Sequence, residues 1–113
     1  MIQNHRSWVF KENAKFVDMF KNKFVQKDDI CVSHHLPSYQ LVNKQYKCDI
    51  SNQFFVTEME KYMQTIEPRA WNFGHTHWKT EMNIHKTFCT SNPVGYPREP
   101  SSVYFDESYV FEI

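Results

Sequence analysis

AWNFGHTH, residues 70–77, runs a short strand-like segment into a glycine and then a His-x-His pair. Positions i and i+2 of an extended segment face the same side, so His75 and His77 could reach one point in space. An earlier segment, ICVSHHLPS at residues 30–38, has the same plan: a short apolar strand ends directly in His34 and His35. Where helices flank a sheet, ligands bind beyond the carboxyl ends of the strands, because the loops there converge on a common crevice. Two neighbouring strands of this kind would bring His34, His75 and His77 together. Neutral imidazole is a common ligand for zinc and also suits iron and other transition metals. Gly74 suits a sharp turn or a close approach of backbone to a ligand.

The rest of the chain supplies the other elements. From Trp8 to Val25, the apolar residues Phe10, Ala14, Val17, Phe20 and Phe24 step by three or four, with lysines and Glu12 on the other face. That spacing predicts an amphipathic helix, ended by the polar turn QKDD before the strand ICVS. A long segment without sustained period follows, carrying Pro37, and unstructured stretches longer than about 12 to 15 residues are often functional. QFFVTEMEKYMQTI, residues 53–66, predicts a second helix on Phe54 or Phe55, Met59, Tyr62 or Met63, and Ile66, with Ser51 as cap and Pro68 as stop. TEMNI and TFCTS pair as a hairpin around His85 and Lys86, although neither residue favours positive φ. NPVGYPREP reads as a loop, with Asn92 and Gly95 shaping a turn. The tail SYVFEI alternates like a final strand.

Composition narrows the class. Thirteen basic and thirteen acidic residues cancel and neither forms a block, so no nucleic-acid-binding patch or attraction to an anionic membrane is expected. An aromatic fraction of 17% is too rich for disorder, and the 113 residues suffice for one small domain. Cys31, Cys48 and Cys89 are odd in number and widely spaced, which argues for reduced buried thiols over a disulfide framework or a paired-cysteine zinc site. With no apolar run of signal-peptide length in MIQNHRSWVF, the expectation is a soluble cytoplasmic protein.

VSHHLPS at 32–38, WNFGHTH at 71–77 and SNPVGYP at 91–97 together resemble the C-terminal half of the calcineurin-like metallophosphoesterases. That family orders five blocks: D-x-H, G-D-x-x-D, G-N-H-[DE], a lone His after a strand, and G-H-x-H. The last two are present, and from Trp8 onward nearly the whole chain falls within the resemblance. The resemblance implies a single partial domain over 1–113, α/β (α+β) in class: half of a four-layer α-β-β-α sandwich, mainly one mixed sheet with two helices. It further implies that His34 and His75 ligate one metal and His77 the other, the ions being manganese, iron or zinc. His35 would stand behind the ligands or face the substrate, and is the catalytic candidate. The implied reaction is hydrolysis of a phosphate ester by hydroxide held between two metals.

The first three blocks are absent, and with them the aspartates and the bridging carboxylate. Asn4-His5 does not replace G-N-H-[DE], since Gln3 precedes it and Arg6 follows it. Three neutral imidazoles cannot neutralise two close divalent ions, so this chain alone is expected to hold zero or one. The reading is therefore the C-terminal part of a phosphoesterase, incomplete in isolation, with a complementing N-terminal half or self-association as expected partners. The alternative is a non-catalytic metal-binding or assembly module on the same fold. Trp71 and Trp78 could stack on substrate or cover the core edge, Tyr39 could sit at the site mouth, and Arg98 could contact phosphate through its guanidinium fork. His85, in the hairpin turn, should be solvated.

Overall fold

The computed structural model describes residues 2–44, 52 and 55–112. Two helices and one mixed four-stranded sheet make an α+β fold: α1 (Ile2–Lys21), β1 (Ile30–Ser33), α2 (Glu60–Ile66), β2 (Ala70–Phe73), β3 (Thr80–Ile84) and β4 (Thr87–Ser91). The strands lie in the order β1-β2-β4-β3, with β1, β2 and β4 parallel and β3 antiparallel to β4. No described helix is long and apolar enough to cross a membrane.

The core lies on one face of this sheet. Cys31, Trp71, Cys89 and Met82 occupy one row across the four strands and point to the same side. Trp71 is fully buried and stacks on Phe20 of α1 at 5.4 Å between ring centres, and Phe16 meets its edge. Phe20 also touches Tyr62 of α2, and Met59 and Met63 complete the cluster. A side chain of this size buries roughly 200 Å², worth about 5 kcal/mol at about 25 cal/mol per Å². The Trp71 indole N–H donates to Ser33 Oγ at 2.9 Å, which resolves the stacking-or-packing question for Trp71 as packing. Cys31 and Cys89 are free and buried, and burial pushes their thiols up to about 11 and about 12. Cys48 lies outside the described residues.

The opposite face is half covered. Ile30, Val32 and Asn72 are exposed there, so two of the apolar residues of β1, Ile30 and Val32, point away from the helices. Over β4, Phe111 packs on Phe88 at 5.0 Å, and the Tyr109 and Thr90 hydroxyls share a hydrogen bond of 3.0 Å. The expected tail strand is thus corrected: Tyr109 and Phe111 do alternate inward with Val110 outward, but side chains fasten this segment and no strand ladder forms among residues 108–112. Asn92 braces it by donating to the Asp106 carbonyl at 2.7 Å and accepting its N–H at 3.1 Å.

Both helices differ from expectation. α1 ends at Lys21, and Phe10 and Phe24 are exposed, so the buried stripe is Phe16, Val17 and Phe20. Residues 55–59 do not join α2, because the backbone there is committed elsewhere. Leu36 and Val56 form a parallel bridge, and Met59 donates its N–H to the Pro37 carbonyl at 2.9 Å. α2 stops at Glu67 in the left-handed region ahead of Pro68. Ser51 and Phe54 lie outside the described residues. The hairpin forms at the expected bounds, with His85 exposed and at φ 53°.

Candidate functional site

β1 and β2 are adjacent and parallel, so their carboxyl ends lie side by side and the chain enters both histidine segments at one rim of the sheet. The pairing continues past the strands: Gly74 N–H donates to the His34 carbonyl at 2.9 Å. Gly74 does not sit at positive φ; the left-handed residue is His75, at φ 63°. What Gly74 provides is space, since a Cβ there would lie 3.0 Å from His34 Nδ1 and 3.3 Å from the His34 oxygen.

Three imidazoles gather at this rim. Ring centres are 5.6 Å apart for His34 and His75, 5.4 Å for His34 and His35, and 6.0 Å for His35 and His75. Phe55 stacks on His75 at 4.0 Å. Its backbone is held by the carbonyl, which accepts the Leu36 N–H at 3.0 Å. Burial, followed by the neighbouring His34, holds His35 below the ordinary imidazole range. Burial does the same to His75, reinforced by His34, His35 and His77. Both rings are therefore neutral at physiological pH, the state a metal requires.

His77 stands apart from that trio. Its Nδ1 lies 3.0 Å from Glu99 Oε1 and 3.2 Å from Oε2, and its ring meets the edge of Tyr96 at 4.6 Å. Glu99 also accepts the Tyr96 N–H and the Ser101 hydroxyl, and the His77 bond above all keeps its carboxyl below the usual range. Both groups line a cleft of about 890 Å³ that includes His34, His75, Trp78 and Tyr96. Arg98 is exposed at φ 64° and is not among the described residues lining it, and Tyr39 is exposed at the start of a short 3-10 helix.

Glu99, Phe55 and Tyr96 were not singled out from sequence. Glu99 carried one legible signal: it shares a loop with Gly95, one of the chain's only two glycines. Gly95 adopts φ 75°, and a Cβ on it would fall 2.6 Å from Glu99 Oε1. Both glycines therefore clear space for a polar group of the cleft.

A metal at this rim can be tested against the donors present. Two imidazoles sharing a tetrahedral ion have ring centres roughly 5–6 Å apart, given metal–nitrogen bonds of about 2.0–2.1 Å. The spacings among His34, His35 and His75 are on that scale. Their nitrogens do not converge on one point, and among the described residues no three His, Cys, Asp or Glu side chains are arranged to hold an ion. Three imidazoles with no carboxylate among them suit one divalent cation, once the side chains turn inward, and not two. No family model, curated protein or solved structure matches this chain, so the likeness to the calcineurin-like metallophosphoesterases rests on its histidine blocks alone.

Proposed function

We propose that this chain is the C-terminal part of a metal-dependent phosphoesterase and acts in the cytoplasm, contributing one wall of a site that hydrolyses phosphate esters. The supporting observation is the gathering of His34, His35 and His75 at the carboxyl ends of two adjacent parallel strands, within 6.0 Å of one another. His34 and His75 would hold a manganese, iron or zinc ion, with His35 beside them. Such an ion supplies Lewis acidity toward a phosphoryl oxygen and lowers the pKa of nearby water. The chain's own residues would do the rest: His77, Trp78 and Tyr96 line the same cleft as His34 and His75 and would face the ligand there. Without carboxylate ligands the chain would bind one ion at most and turn over little substrate alone.

The test is ion stoichiometry by calorimetry and mass spectrometry, with hydrolysis of an aryl phosphate measured in parallel. One ion per chain, lost in a His34→Ala, His75→Ala variant, supports the reading. Full ion loading that ignores those substitutions, or no ion at all, removes it.

The exposed face of β1 favours a second reading, an assembly module. Ile30 and Val32 are 54% and 71% exposed on a sheet face that is normally covered. As an assembly module the chain would self-associate or take up a complementing half. Sedimentation would then show a species heavier than 13.7 kDa that reverts to the monomer in Ile30→Lys, Val32→Lys. A wild-type monomer would remove self-association.

A further inference from the structure

We infer that Glu99 is the positioning residue for His77, holding it in the Nδ1–H tautomer so that Nε2 is the bare nitrogen offered to a phosphate-bearing ligand in the cleft. The identity of the ligand rests on the phosphoesterase reading; the tautomer does not.

An ionised carboxylate has lone pairs and no proton to give. Glu99 accepts the Tyr96 N–H and the Ser101 hydroxyl and has His77 Nδ1 at 3.0 Å, an arrangement that stabilises its charged form. The hydrogen of the His77–Glu99 bond must therefore be on Nδ1, and a neutral ring then carries a lone pair at Nε2. Among the described residues no group is bonded to Nε2. The pair is built into the fold from both sides. Gly95 leaves room for the Glu99 carboxylate, and the edge of Tyr96 fixes the plane of the imidazole. Carboxylates that orient histidines in this way commonly act through the ring nitrogen they leave free. A lone pair at Nε2 can accept a hydrogen bond from water or from a phosphate hydroxyl.

The experiment is long-range proton–nitrogen NMR on histidine-labelled, EDTA-treated protein, above the imidazole titration range, with His77→Ala to assign the signals. The wild type should show His77 protonated at Nδ1. Glu99→Ala should shift the population toward the Nε2–H form that free histidine prefers, Gly95→Ala should do the same by displacing the carboxylate, and Glu99→Gln, which retains an acceptor oxygen, should largely restore the wild-type pattern. Inorganic phosphate should perturb the wild-type His77 signals. A wild-type ring protonated at Nε2, a tautomer unmoved by Glu99→Ala, or a His77 signal indifferent to phosphate overturns the inference. If His34 and His75 bind no ion while the NMR result holds, the proposed function fails and the positioning role stands. Ion binding with the wrong tautomer gives the reverse.

Discussion

Replacing Gly74 by alanine tests the geometry of the histidine rim most directly. The added Cβ would lie 3.0 Å from His34 Nδ1 and 3.3 Å from the His34 carbonyl oxygen, where ordinary contact begins at 3.4 Å. The exposed imidazole can swing aside. The carbonyl cannot move freely, because it is bonded to the Gly74 N–H at 2.9 Å. Overpacking of this kind costs about 1–3 kcal/mol, and the low end applies because half the obstruction is a movable ring. Loss of glycine's freedom in the unfolded chain returns about 0.4–1 kcal/mol. The net expectation is a destabilisation of up to about 0.6 kcal/mol, a fall of at most roughly 4 °C in Tm for a domain of this size. The larger effect should be on the site: with His34 pushed from His75, zinc affinity should drop by about tenfold or more. Circular dichroism melts in EDTA and zinc calorimetry read the two quantities separately. A variant that matches the wild type in both would show that Gly74 is not the spacer between the two histidine segments.

Three further outcomes follow from the packing and the charge. Trp71→Ala removes the centre of the core and its bond to Ser33, and should cost about 3–5 kcal/mol in urea unfolding; a loss under about 1 kcal/mol would mean that α1 is not seated on the sheet as described. His35 and His75 have folded pKa values below the unfolded one, so the unfolded chain binds more protons as pH falls through the imidazole range. Stability should be complete above that range and decline from about pH 7 to about pH 5 in EDTA, whereas a Tm that rises on acidification would contradict the burial of these rings. Asn92→Ala removes two bonds to Asp106 and should cost about 1 kcal/mol, exposing the Thr90 amide to faster hydrogen exchange; unchanged exchange would show that the tail is held without it.

The sequence by itself determined the strands at 30–33, 70–73, 80–84 and 87–91, because β-rich runs bounded by turn residues are local signals set by sterics and side-chain alternation. That both histidine segments follow strands was also legible, but that those strands are neighbours was decided by the pairing of β1 with β2. The start of α2 could not be read this way. The segment has helical spacing in sequence, yet the backbone of Phe55, Thr57 and Met59 is drawn into bonds with Leu36 and Pro37, and such tertiary partners outweigh propensities of a few tenths of a kcal/mol per residue. The tail's alternation was legible but its role was not, because side chains and not a ladder hold it. Only the tertiary structure decided that Ile30 and Val32 face outward, that Gly74 makes room for His34, and that His77 pairs with Glu99, 22 residues away. Each of these depends on which surfaces meet after the chain closes on itself, and no short window of sequence contains both members of such a pair.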